Sequence, residues 1–465
     1  MERKIYEDLL KWKKDSNKKP LLLYGTRQIG KTYTTIEFGE KEYKTVAYIN
    51  TENNKELFEI FKKENTIDRI IAKLSLLTGE SILKEDTLII LDNVVDDIVV
   101  KTIKKFGKET TEYHIIMITS FKEKLNDFKG EELQYKNMYP MDYAEYVRAL
   151  GNLELIDFIK TSFKNNKPMP FHNIAMEYYE EFIMTGGLPE AVLASINKES
   201  NLKIRMIHEK ELSTYKEQLL ALDNLIDISK ANEILNILPY QLLKPNKKFQ
   251  YGLMKNGGRS KEYQNALDFL ANNGIVNRCF KISEAKPPLS KCKDEESFKL
   301  YLNDTGILFM MMHLSKMKFL TDNNLKYILY ENNIASTLVG CGYNLYYYQS
   351  EGKAEVAFVV QTRAGKLIPI EIVNKNIAKA KSLTLFMNRF NIDEAIRFTE
   401  DNFSHKKGVK YIPIYAAFCL KEILYQILPP REWANISLSQ HYLIIVIFPR
   451  STGDSLWKTI FPVAS

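Results

Sequence analysis

The chain has 465 residues, 45% of them hydrophobic and 26% charged, with a formal net charge of +7, the balance of a folded globular protein. Its 27 Tyr and 24 Phe exclude disorder over most of the length, and 20 Gly, 15 Pro and four Cys exclude collagen-like, mucin-like and disulfide-rich chains. At roughly 150 residues per domain the length fits two or three domains.

The cysteines (Cys279, Cys292, Cys341, Cys419) form no CxxC pair, which suits a reducing compartment better than a disulfide framework or a zinc site. The N-terminal MERKIYEDLLKWKKD is charged and amphipathic, without the apolar core of a signal peptide. Apolar runs such as LIIVIF (443–448) are too short to span a bilayer. A cytoplasmic chain with no membrane partner is expected. Its basic residues, 53 Lys and 12 Arg, are spread along the chain, which permits a nucleic-acid partner without requiring one.

The first strong signal is KPLLLY (19–24) followed by GTRQIGKT, a G-x-x-x-x-G-K-[ST] loop between a short apolar run and a helix-compatible segment. In that setting the backbone N–H groups of Gly25, Thr26, Arg27, Gln28, Ile29, Gly30, Lys31 and Thr32 would turn inward around the phosphates of ATP. Lys31 would reach the β/γ oxygens, and the Thr32 hydroxyl would complete a Mg²⁺ shell. Strand-like KTVAYIN (44–50), TLIILDN (87–93) and YHIIMIT (113–119) follow, separated by amphipathic helical patterns. This alternation predicts an α/β domain with a parallel sheet over residues 1–150.

TLIILD ends in Asp92, where a buried strand delivers a carboxylate to the metal. Asn93 follows where hydrolytic AAA-type ATPases usually carry Glu; an amide orients water but accepts no proton from it. Glu52, Asp96 and Asp97 are the substitute acids, against the simpler reading of solvated loop residues. Ser120, ending the next strand, occupies the place of a polar γ-phosphate sensor. Lys31, Asp92, Asn93, Ser120 and Glu52 are thus the candidate catalytic residues, with Thr32 and Asp92 as metal ligands.

ERKIYEDLLKW, LLLYGTRQIGKT, YIN, MYPMDYAEYVRAL and IMTGGLPEAV, in this order, resemble a group of uncharacterised prokaryotic AAA-type P-loop ATPases. The resemblance covers roughly residues 1–420. It implies an ATPase core followed by a winged-helix segment and a C-terminal domain of unknown function related to restriction endonucleases. It also implies that the TGGLPEAV element (185–192) packs a helical lid, over residues 151–222, near the nucleotide; alone, Gly186 and Gly187 would read as a helix break.

Residues 223–290 read as two helices and a short β pair, the order of a winged helix. The second helix would be the DNA reader, with Lys247, Lys248, Lys255, Arg259 and Lys261 nearby, although such modules also serve as packing or protein-contact units. Residues 291–424 form the last α/β domain. Its strand-like AEVAFVVQ (354–361) and KLIPIEIV (366–373) stand where a restriction-endonuclease-like site places Asp and then Glu-x-Lys. Here those positions hold Ala357 and Val373; Glu371 remains, with Glu355 and Glu331 as supplements. One carboxylate without its partners binds Mg²⁺ weakly, so an inactive nuclease-like domain is expected. Lys375, Lys379 and Lys381 either touch a phosphate backbone or form a solvated face. Residues 425–465 carry five charged residues in 41 and two of the three Trp, an atypical tail.

Two functions compete on these residues. One is an ATP-binding, Mg²⁺-dependent P-loop ATPase, slow or impaired in hydrolysis, that couples nucleotide state to the C-terminal domain. The other is a non-hydrolysing switch or a DNA-binding or protein-interaction module. A metal-dependent nuclease is argued against. No arginine, Arg148 and Arg205 included, is assigned as a finger for a neighbouring subunit, and the oligomeric state is left open between monomer and small oligomer.

Overall fold

The apolar run ahead of the glycine loop becomes β1 (Leu21–Tyr24), with three of its four residues buried. A computed structural model describes residues 1–120, 130–220, 228–254, 259–350, 355–373 and 381–424. Lys255, Lys375, Lys379 and the segment 425–465 lie outside the described residues.

β1 joins β2 (Thr45–Asn50), β3 (Thr87–Asp92), β4 (His114–Thr119) and β5 (Gln134–Asn137) in a parallel sheet of order β2-β3-β4-β1-β5. β3 and β4 are buried at every position, which is why they read as unbroken apolar runs: a central parallel strand is covered on both faces. Side chains alternate across the sheet. Leu21, Leu23, Leu88, Ile90 and Ile116 pack on one face with Phe38 of helix Lys31–Glu42. Leu22, Ala47, Ile49, Ile89 and Leu91 pack on the other, with Leu57, Leu74 and Val100 from helices Lys55–Lys63, Ile67–Thr78 and Asp97–Glu109.

Five helices follow: Tyr143–Ala149, Leu153–Asn165, His172–Thr185, Pro189–Ile196 and Asn201–Leu220. The Gly-Gly pair between the third and fourth marks a close crossing. A Cβ on Gly187 would lie 2.2 Å from the Met141 carbonyl oxygen, and one on Gly186 would lie 2.3 Å from Asp304 Oδ1.

Helices Ile228–Leu243 and Ser260–Asn272 lead into β6 (Val276–Ile282) and β7 (Lys293–Leu302), an antiparallel pair. The helix–helix–β order is the one expected from the sequence. The pair does not stand alone, however, because β6 also pairs in parallel with β8 (Tyr346–Gln349). β9 (Glu355–Gln361), β10 (Leu367–Ile372), β11 (Ala395–Thr399), β12 (Ser404–Lys406) and β13 (Val409–Pro413) complete a mixed sheet of order β12-β13-β11-β10-β9-β8-β6-β7. Residue 290, the sequence-based division, falls between β6 and β7 within this one sheet. The fold is therefore α/β, with a parallel sheet first and a mixed sheet last. Among the described residues no helix is long and apolar enough to cross a membrane.

Candidate functional site

The glycine loop leaves β1 at Tyr24 and ends at Gly30, whose left-handed conformation (φ 89°) caps helix Lys31–Glu42. Gly25 is required by space: a Cβ there would sit 2.2 Å from the Met138 carbonyl oxygen. The first turn of the helix contains no acidic side chain, so the positive end of its dipole faces the loop without an internal anion.

Lys31 is buried, and its Nζ donates to the carbonyls of Gly25 (2.9 Å) and Thr26 (2.7 Å) and to Ser120 Oγ (3.0 Å). Burial pulls its ammonium down to about 7; Asp92 and Glu211 oppose the shift and Arg27 adds to it. Ser120 reaches Lys31 because β4 lies directly beside β1. The Thr32 hydroxyl donates to Asp92 Oδ2 across 2.8 Å, Tyr48 donates to the same oxygen at 3.0 Å, and the Asn93 N–H donates to Oδ1 at 2.8 Å. Lys31, Thr32, Asp92 and Ser120 are thereby brought together as the sequence predicted.

Asn93 adopts a left-handed backbone (φ 58°), a conformation that Asn tolerates better than most residues. Its side-chain amide donates to Asn50 Oδ1 at 3.2 Å, and its carbonyl accepts from Thr51 Oγ1 at 2.9 Å. Glu52 is exposed in the turn after β2, with its N–H on Asn50 Oδ1. Asp96 caps helix Asp97–Glu109 through Ile98 N at 2.8 Å, a structural duty.

Three neighbours of the site had no signal in the sequence beyond the motifs around them. Tyr48 touches Asp92. Arg3, also buried, donates to Glu145 Oε1 (2.8 Å), the Tyr139 carbonyl (2.7 Å) and the Ile29 carbonyl of the loop. Glu211 is buried on helix Asn201–Leu220, and three residues on, Thr214 Oγ1 accepts from Gln28 Nε2 of the loop at 3.5 Å.

The residues present fit a nucleotide triphosphate and Mg²⁺. Gln28 Oε1 and Thr34 Oγ1 are buried without hydrogen-bond partners among the described residues, and a polar ligand would satisfy atoms of this kind. The Thr32–Asp92 pair offers hard oxygen donors of the kind Mg²⁺ takes.

The C-terminal acids are occupied differently. Glu371 Oε2 is gripped by Arg397 through Nε (2.7 Å) and Nη2 (2.5 Å). Glu331 accepts from Lys247 (2.5 Å) and Tyr301 (2.6 Å), and Lys299 bonds Glu355. No group of three His, Cys, Asp or Glu side chains able to hold a metal occurs among the described residues. Of the basic residues expected near a DNA surface, Lys247 is tied to Glu331 and Lys248 donates to Ser297 Oγ at 2.8 Å, whereas Arg259 and Lys261 are exposed. Arg205 pairs with Glu209 at 2.9 Å, and Arg148 lies 3.5 Å from Glu2.

A parallel sheet with a glycine loop, a following Lys-Thr and an acid at the end of β3 defines a P-loop nucleotide-binding domain. Residues 17–147 match the model of an AAA domain. Residues 176–318 match a domain of unknown function (DUF8612), and residues 328–417 match another (DUF4143). Similar solved structures include the Walker-type ATPase PABY2304 of Pyrococcus abyssi, 12% identical with a TM-score of 0.39, the match covering 67% of this chain and 95% of that one. The Orc1 protein of Aeropyrum pernix, solved in complex with DNA, is 12% identical with a TM-score of 0.26, over 68% and 92% of the two chains. A point variant of RuvB from Thermotoga maritima is 11% identical with a TM-score of 0.30, over 59% and 88%. No curated protein matches the chain.

Proposed function

We propose that this protein binds Mg²⁺-ATP at the Gly25–Thr32 loop, hydrolyses it slowly or not at all, and uses the nucleotide state to set its C-terminal α/β region, an inactive nuclease-like domain. The observation that carries the reading is the single cluster of Lys31, Thr32, Asp92 and Ser120, followed at once by an amide at Asn93.

In this reading Lys31 exchanges its loop carbonyls for phosphate oxygens. Ser120, already on Lys31, positions that ammonium. Thr32 and Asp92 would hold the metal, which would supply charge neutralisation at the phosphates. Asn93 and Asn50 can orient a water but cannot take its proton. That favours the second reading, a non-hydrolysing switch, equally on the binding side. Tethering of Glu371, Glu331 and Glu355 by Arg397, Lys247 and Lys299 supports a binding or structural role for the last region, toward DNA or a protein partner.

The test pairs calorimetry of Mg²⁺-ATP binding with phosphate release on the wild type, Lys31→Ala and Asn93→Glu. Binding that falls at least tenfold in Lys31→Ala, with turnover raised only in Asn93→Glu, is expected. Absence of wild-type binding would overturn the nucleotide reading. Rapid wild-type turnover that Asn93→Glu leaves unchanged would overturn its hydrolysis clause.

A further inference from the structure

One carboxylate at the nucleotide site has no assigned role. Glu211 is fully buried, and its side-chain oxygens have no close hydrogen-bond partner among the described residues beyond the neighbouring Tyr215 hydroxyl. The charges Glu211 feels are those of Lys31 and Arg27 of the glycine loop and of Asp304 of the C-terminal region, and Thr214 of the same helix meets Gln28 of the loop at 3.5 Å. His208, Glu211 and Tyr215 fall three and four residues apart on helix Asn201–Leu220, so they form one stripe on one face, and all three are buried.

The far end of that stripe is a tight crossing. His208 Nε2 hydrogen-bonds the Thr185 carbonyl at 2.9 Å. Asp304 accepts from the N–H groups of Gly187 (2.7 Å) and Ile307 (3.0 Å). A Cβ on Gly306 would stand 2.6 Å from the Thr185 oxygen and 2.7 Å from His208 Nε2. One helix therefore packs against both the phosphate loop and the junction that joins the lid to the C-terminal region.

A buried carboxylate with no ion-pair partner in hydrogen-bond contact, beside a site for a polyanion, carries a like-charge conflict. We propose, building on the nucleotide reading above, that Glu211 is a coupling residue: seating the triphosphate draws Lys31 and Arg27 toward phosphate, a proton from solvent bonds to a Glu211 carboxylate oxygen, and the stripe passes the change to the Thr185–Asp304 crossing. Burial already pushes the Glu211 carboxyl up to about 7, with Asp304 adding and Tyr215, Lys31 and Arg27 pulling back. The sign follows: below about pH 7 the proton is in place before ATP arrives, and above it ATP binding must bring the proton in. Affinity should then fall by up to about tenfold per pH unit above 7.

The experiment measures Mg²⁺-ATP binding to the full chain by calorimetry from pH 6 to 8.5, in buffers of different ionisation enthalpy, for the wild type and Glu211→Gln. Proton uptake and pH-dependent affinity in the wild type, both absent in Glu211→Gln, are expected. In the nucleotide-free chain the wild type should lose thermal stability as pH rises toward 7, with Glu211→Gln flat. Binding with no proton uptake, or uptake that persists in Glu211→Gln because Lys31 supplies it, would overturn the proposal. No ATP binding by either protein at any pH would instead strike down the nucleotide reading beneath it. A Glu211→Gln chain that fails to fold would be replaced by Glu211→Asp, which keeps the acid and must keep the uptake.

Discussion

Arg3 and Glu145 form a buried ion pair at 2.8 Å across 142 positions of sequence. The same guanidinium holds the Ile29 carbonyl at the turn of the glycine loop and the Tyr139 carbonyl beyond β5. Glu145 is fixed in turn by a capping box with Asp142 and by the Lys4 N–H. The loop is therefore propped from behind by the first residues of the chain. Arg3→Ala strands the carboxylate and should cost about 3–5 kcal/mol, the usual penalty for breaking a buried pair. Arg3→Lys restores charge but not the planar fork and should fall between. Urea midpoints measure the stability, and ATP affinity should follow the same order; equal midpoints in all three would refute the bracing role.

The left-handed backbone at Asn93 makes a second prediction. Asn93→Gly should keep the fold within a few tenths of a kcal/mol, whereas Asn93→Val, branched at Cβ, should lose about 1–2 kcal/mol. Thermal denaturation distinguishes them. If Val matches Gly, the turn after β3 is not held at φ 58° in solution.

Gly187 is enclosed by backbone, its would-be Cβ 2.2 Å from the Met141 oxygen and 2.8 Å from the Met141 nitrogen. Neither atom can swing away, because the Met141 N–H bonds the Gly187 carbonyl at 2.7 Å. Gly187→Ala should destabilise by about 1–3 kcal/mol through forced backbone shifts. Gly340, at the end of helix Asn323–Gly340 with nothing within 4 Å, is the control: Gly340→Ala should be neutral or stabilising by up to about 1 kcal/mol. Comparable losses at both sites would contradict the geometry.

Glu331 sets a pH dependence. Burial pushes its carboxyl up, but the ammonium groups of Lys247 and Lys299 and the bonds from Lys247 and Tyr301 outweigh that and hold it down at about 2. The folded state thus binds fewer protons than the unfolded state between about 4.5 and about 2. The stabilisation is present above about pH 4.5 and is lost as pH falls through that window. Melting temperatures recorded from pH 7 to pH 3 should decline in the wild type below about 4.5. Glu331→Gln, with Lys247 left without its carboxylate while Lys299 keeps Glu355, should start lower by about 3–5 kcal/mol at pH 7 and decline less.

Much of the N-terminal domain was legible because its signals are local. LLLY, the glycine loop and TLIILD each declare themselves within eight residues, and they meet as expected at Lys31, Thr32 and Asp92. β5 was not legible: Gln134–Asn137 reads QYKN, is half-buried throughout, and becomes a strand only because the edge of β1 accepts it. Arg3 and Glu211 were illegible for a related reason. Each sits in a charged run, MERK and HEKE, and nothing local tells which of several charges will turn inward. Glu371 shows the converse. Its position at the end of a buried strand was readable, but the Arg397 beside it comes from β11, and only the sheet register that places Glu371 opposite Arg397 reveals the pair.

The shared strand β6 decides where the chain can be divided. β6 lends one edge to β7 and the other to β8, so a chain severed between Ile282 and Lys293 would expose the Tyr346–Tyr348 edge to pairing with any passing strand. A cut there is expected to leave two pieces, each with an open sheet edge. The helical pair and the mixed sheet are therefore expected to fold together, whereas the five strands of the P-loop sheet pair only among themselves.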